Sequence, residues 1–134
     1  MKKIKKRRDI EKPYCNGEWT KARFFQFIRS ALRQASSRWK PKYQCLKEAE
    51  TAKIVNKKTG RIAMHYQCSM CYGEFPRKEV NADHIIPAGS LNDFNDLPGF
   101  AQRLFCEVDG FRVLCVNCHA KVTKEQKQNN EAIN

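Results

Sequence analysis

Two cysteine pairs of identical spacing stand far apart in this chain, Cys68-Ser69-Met70-Cys71 and Cys115-Val116-Asn117-Cys118. A two-residue gap lets both sulfurs of a pair reach one ion from a tight turn, and four thiolates suit tetrahedral zinc. One pair alone fits redox chemistry as well; two matched pairs point to zinc. The 43 residues between Cys71 and Cys115 exceed the spacing of a small zinc ribbon, so the ion would join two distant segments around an insert. A closed four-sulfur site leaves no position for substrate, and this zinc is expected only to hold the fold. Inside the insert lies Asn81-Ala82-Asp83-His84-Ile85-Ile86-Pro87, and His119 directly follows the last cysteine. An Asp-His pair bracketed by two Cys-x-x-Cys pairs suggests a second metal site with a different job.

The chain resembles the HNH endonuclease family, whose finger folds as two strands and a helix around a catalytic metal. The matching words are Asp83-His84-Ile85-Ile86-Pro87 and Leu114-Cys115-Val116-Asn117-Cys118-His119-Ala120-Lys121. The segment from Gly89 to Phe100 and Arg103-Leu104-Phe105-Cys106-Glu107 are similar to a form common in phage-encoded members. The resemblance covers roughly residues 60–125, about half of the chain. It implies that His84 is the general base and that Asp83 and His119 hold a catalytic divalent metal, Mg or another. It also implies DNA as partner and a phage genome as source. One departure stands out: Gly110 occupies the place of the family's middle Asn, five residues before the third zinc cysteine, with Asp109 beside it.

The implied chemistry is coherent. Phosphodiester hydrolysis needs an activated water, charge stabilisation on phosphate and help for the leaving oxygen. A divalent ion supplies the last two as a Lewis acid. Neutral imidazole can take the water's proton near pH 7. A carboxylate and an imidazole leave such an ion several positions open for phosphate and water. Cys118 and His119, about 100° apart on a helix, can face different ions. Asp83 and His84 would point to opposite faces of a regular strand, and serve one site only if the strand twists or ends there. On residue type alone, His84 also fits a satisfied core or surface histidine, and His119 a bystander of the zinc.

Charge points to a polyanion. The net charge is +12, and residues 1–66 carry 19 Lys/Arg against 5 Asp/Glu while residues 67–134 carry 7 against 9. A basic arm beside a near-neutral catalytic core is what a polyanion-binding enzyme shows. Lys2, Lys3, Lys5, Lys6, Arg7 and Arg8 form a tail with too little apolar surface to fold alone, either solvated or bound to phosphates. No apolar run approaches the roughly 20 residues that span a bilayer, so no membrane partner is expected. No apolar h-region follows the basic start, and four of the seven cysteines pair at metal spacing, which suits a reducing cytoplasm, the host's if the source is a phage. Cys15, Cys45 and Cys106 fit no motif and are expected to be buried or inert.

The positioning elements follow from periodicity. Phe24, Phe27, Ile28, Ala31, Leu32, Ala35 and Trp39 make one helical stripe over residues 20–39, capped by Thr20 and stopped by Pro41. Arg29 and Arg33 share its polar face, solvated or on phosphates. A weaker helix is expected over 43–53. A hairpin over 54–55 and 61–67, turning at 56–60, delivers the chain to Cys68, and Gly73 suits a tight zinc knuckle. Strands at 79–85 and 111–114, a short helix at 97–105 and a closing helix at 116–127 complete the pattern, with Lys121 and Lys124 near the last helix's end.

The expected architecture is α+β, a zinc-stapled ββα-metal (HNH) finger preceded by a basic helical N-terminal arm. Its divisions are a basic tail (1–18), a helical DNA-binding arm (19–60), the nuclease finger with structural zinc (61–127) and a short tail (128–134). The expected function is metal-dependent DNA endonuclease activity, nicking or cutting both strands. The alternatives are a non-catalytic zinc module that binds DNA or phage packaging proteins, and an RNA binder stacking bases on Tyr14, Trp19 and Trp39.

Overall fold

A computed structural model describes residues 10–133. The tail lysines and arginines at positions 2, 3, 5, 6, 7 and 8 lie outside the described residues. The chain is mixed α+β, with four α-helices and two small sheets among the described residues. No described helix is long and apolar enough to cross a membrane.

Helix α1 (Lys21–Ser36) starts where Thr20 leaves helical geometry and its hydroxyl accepts the Arg23 N–H at 3.2 Å. Its inward face differs from the expected stripe. Phe25 is buried at 1 % exposure, whereas Phe27 stands 57 % exposed and Ala31 faces solvent. The reason is tertiary. Phe25 enters a core with Ala88, Leu91, Phe100 and Leu104, while Phe24 stacks on Tyr14 at 3.9 Å, so the helix is turned toward the loop after residue 87.

Pro41 opens a helix and does not close one: α1, expected to run to Trp39, already ends at Ser36. Helix α2 (Lys40–Glu48) carries it in the first turn, where the missing N–H costs no hydrogen bond. The helix expected to run to residue 53 stops at Glu48, and strand β1 (Glu50–Val55) takes over. Thr51, Ile54 and Val55 are β-branched, and pairing with strand β2 (Ile62–Gln67) outweighs the weak helical pattern. Strand β3 (Glu74–Pro76), unforeseen in the sequence, pairs with β2 and closes the loop that holds Cys68 and Cys71. Gly73 is not the left-handed residue of that loop: Tyr72 is, at φ 59°. Gly73 is needed for a different reason, since a Cβ there would lie 2.8 Å from the Phe75 ring.

Strands β4 (Val80–His84) and β5 (Phe111–Cys115) pair antiparallel, with Ala82 opposite Val113 and Asp83 opposite Arg112. Val80, Ala82, Phe111 and Val113 face Cys45 and Leu46 of α2, so alternation along β4 sets which residues stay outside. Between them the chain makes helix α3 (Leu97–Leu104), and after β5 it enters helix α4 (Val116–Ile133) without a break.

Candidate metal sites and cleft

The four paired cysteines converge. All four sulfurs lie within 4.8 Å of one another, with Cys71 Sγ 3.9 Å from Cys115 Sγ. Cys68 lies between β2 and β3, Cys115 ends β5, and Cys118 sits in the first turn of α4. Ser69 ties the knuckle to β5, donating its N–H (2.8 Å) and hydroxyl (3.0 Å) to the Val113 carbonyl. Backbone N–H groups also aim at sulfur: Cys115 N–H at Cys68 Sγ and Cys118 N–H at Cys115 Sγ, each 3.4 Å. Burial opposes charge on Cys68, yet the N–H groups of Cys71, Cys115 and Met70 outweigh it and bring its thiol down to about 6. Cys118 is pushed up to about 12, chiefly by its hydrogen bond with Cys115 and then by burial. None of the seven cysteines is in a disulfide. Four unbridged sulfurs this close are compatible with one tetrahedral zinc.

The three leftover cysteines differ. Cys45 is buried and Cys106 half-buried, and burial raises both thiols. Cys15 is exposed, in a left-handed turn with Asn16 and Gly17.

A cleft of about 650 Å³ opens beside the end of β4, lined by Arg33, Asp83, His84, the 87–90 loop and Gln126. His84 is the last residue of β4, and it lines this cleft together with its neighbour Asp83. Its Nε2 lies 2.8 Å from the Leu104 carbonyl. A carbonyl can only accept, so Nε2 carries the proton and Nδ1 of the neutral ring keeps a free lone pair. Phe111, opposite in the sheet, packs on the ring with centroids 4.7 Å apart.

His119 projects from α4 toward Asp83, its Nε2 3.9 Å from Asp83 Oδ1. That is too long for a hydrogen bond and close enough for both atoms to reach one ion at ligand distances of about 2.0–2.2 Å. The carboxylate is a quarter exposed and the imidazole 45 % exposed, so the pair opens to solvent.

The cleft wall is braced from behind. Arg103 Nε donates to the Ala88 carbonyl at 2.8 Å, and Arg29 Nη2 to the Leu91 carbonyl at 3.1 Å. Arg29 is thus turned to the loop, whereas Arg33, expected beside it on one polar face, lines the cleft. Lys121 and Lys124 are exposed on α4. Gly110 accepts the Ile85 N–H at 2.9 Å, extending the pairing past His84. A Cβ at Gly110 would sit 2.5 Å from Cys106 Sγ, so the residue is small by necessity. Asp109 is exposed and forms no hydrogen bond to His84.

Arg112 escaped the sequence reading. It faces Asp83 across the sheet and its Nε is buried without a partner. Only the strand register reveals it. Tyr14 and Trp39, weighed as base-stacking residues, are engaged internally. Tyr14 stacks on Phe24, and Trp39 Nε1 donates to the Cys106 carbonyl at 2.6 Å. Comparison with protein-family models, curated proteins and solved structures found no match for this chain.

Proposed function

We propose that the protein is a metal-dependent DNA endonuclease of HNH type, with β4, β5 and α4 as its ββα unit. The observation that carries this reading is a cleft lined by both His84 and Asp83, with a second imidazole, His119, near that carboxylate. His84, held by Leu104, offers Nδ1 as the base, while Asp83 and His119 lie 3.9 Å apart beside it. Two ligands from two elements would leave most of a divalent ion's positions for water and phosphate.

Each residue then has a task. Asp83 and His119 would hold Mg or another divalent ion, which as a Lewis acid supplies charge stabilisation on phosphate. His84 takes the proton of the attacking water at Nδ1, and the Nε2–H bond to Leu104 keeps the ring aimed as positive charge builds. Arg33 is placed to meet a phosphate oxygen at the cleft's edge. Cys68, Cys71, Cys115 and Cys118 would hold zinc, joining the β2–β3 knuckle to the start of α4 and thereby fixing where His119 stands. Unbridged thiols favour a reducing cytoplasm as the place of work, and the resemblance favours a phage as source.

Supercoiled plasmid incubated with Mg, Mn or Ni ions is the test. Relaxed or linear product that disappears with EDTA is expected. Intact plasmid under every ion, with zinc bound and the chain folded, would leave a DNA-binding or packaging module instead.

A further inference from the structure

The cleft does not end at Arg33. That side chain also lines a second open groove along α1, with Ser30, Gln34, Ser37 and Arg38. Ser30 in turn borders a third groove, made by Trp19, Arg23, Gln26 and Phe27. Shared residues at each junction make the three grooves one track along the outer face of α1, leading into the cleft.

The chemistry along this track changes from end to end. Arginines recur along it, with aromatic rings at the far end, and residues 19–47 hold eight Lys/Arg and no Asp/Glu. Lys21 and Arg29 are spent on Asp93 and Leu91, while Arg23, Arg33 and Arg38 line the grooves. At the far end Phe27 is 57 % exposed, its ring centroid 5.4 Å from Trp19. Trp19 is itself held, by backbone pairing with Tyr14 and by the Arg23 guanidinium 4.6 Å from its ring. A helix that simply reads duplex backbone needs no aromatic platform. Unpaired bases do, since a stacked base has its faces covered by neighbours and an unpaired one seeks a ring.

We infer that the outer face of α1 is a track for an unpaired DNA strand flanking the cleavage site, with Arg33 and Arg38 on its phosphates and the Phe27–Trp19 platform under a base. The inference rests on the nuclease reading for the identity of its ligand, and it names the substrate class: a junction of duplex and single strand. Phe27 lies six residues from Arg33, about 9 Å along the helix, or roughly two to three stacked nucleotides at ~3.4 Å each. The platform therefore meets a base close to the scissile phosphate.

The test uses the full zinc-loaded chain and fluorescein-labelled DNA, either a blunt duplex or the same duplex with a 5′ or a 3′ single-stranded arm. Binding is read by anisotropy with no divalent ion added, so that the DNA stays whole. A 2-aminopurine in the arm reports stacking. One armed duplex should bind about 5- to 100-fold tighter than the blunt one, with quenched 2-aminopurine, as one stacked base predicts. Phe27→Ala should remove most of the arm preference and restore the fluorescence, with an unchanged circular dichroism spectrum. Arg38→Gln should weaken armed binding and reduce its salt slope by about 0.7, the value for a single-strand phosphate. Equal binding of armed and blunt DNA overturns the inference, as does an arm preference undiminished in Phe27→Ala. Self-association abolished by Phe27→Ala also overturns it, assigning the face to a second copy of the chain. Plasmid cleavage without arm preference would sink the track and leave the nuclease reading. Arm preference without cleavage under any ion would do the reverse.

Discussion

Replacing His84 with alanine tests the proposed general base directly, at a stability cost that can be worked from its contacts. The substitution removes the Nε2–H donor to the Leu104 carbonyl, 2.8 Å away, and the ring packed on Phe111 at 4.7 Å. The hydrogen bond is worth about 0.5–1.5 kcal/mol and the aromatic contact about as much again. A loss of about 1–3 kcal/mol should lower Tm by roughly 3–15 °C for a chain of this size. No cysteine is touched, so zinc content should match the parent's. Cleavage should fall far more, by about 10²–10⁴, as for the loss of a positioned general base. Single-turnover nicking of supercoiled plasmid, run well below the variant's Tm, reads the rate; metal analysis and calorimetry read the rest. Asp83→Ala and His119→Ala are the companion variants. They keep the Leu104 bond, so their Tm should stay near the parent's, and excess Mg or Mn should partly restore their cleavage. Excess metal should do nothing for His84→Ala. A His84→Ala protein that cuts as fast as the parent would refute the assignment of the base, whatever the fold.

Other outcomes follow from the same contacts. Cys115→Ser should lose both zinc and the cooperative unfolding transition, because metal binding is part of the folding free energy of a small metal-stapled domain; a folded, zinc-free variant would remove the premise. Gly110→Ala should cost about 1–3 kcal/mol in urea unfolding, since its Cβ would press on Cys106 at 2.5 Å; a neutral result would show that Cys106 yields. Deleting residues 1–12 should flatten the salt dependence of DNA binding by about 0.9 per lost duplex phosphate contact, and an unchanged slope would make the tail a bystander. The Lys21 ammonium holds the Asp93 carboxyl below its usual value, aided by the Asn95 N–H. Its contribution to stability is complete above the unfolded carboxylate's pKa of about 3.9 and disappears as pH falls through the depressed folded value. Wild type should therefore exceed Asp93→Asn in urea midpoint at pH 6, and the difference should close as pH falls through the depressed folded value.

Much of this protein was determined by local rules that act over a few residues. Thr20 caps a helix wherever its hydroxyl can meet an N–H three residues on, and the Cys-x-x-Cys spacing brings two sulfurs together in any tight turn. Strand β4 ends and α4 begins close to where alternation and periodicity place them, for the same reason. What the tertiary structure alone decided are matters of rotation and register, in which a residue's partner lies far along the chain. Periodicity puts Phe24 and Phe27 on the inward stripe and leaves Phe25 out of it; contact with Leu91 and Phe100 buries Phe25 instead and leaves Phe27 in solvent. Arg29 and Arg33 are equivalent by spacing, yet the Leu91 carbonyl claims one and the cleft receives the other. The weak helix over 43–53 is cut short because β1 finds its hydrogen bonds in β2, and Gly110 is explained by a cysteine that four-residue turn chemistry brings beneath it. Asp83 and His84 should diverge by strand geometry, yet both line one cleft, where the end of α3 offers a carbonyl to the His84 ring. Hydrophobicity and hydrogen bonding specify how much each residue gains by finding a partner, but which partner it finds depends on packing that no short window of sequence contains.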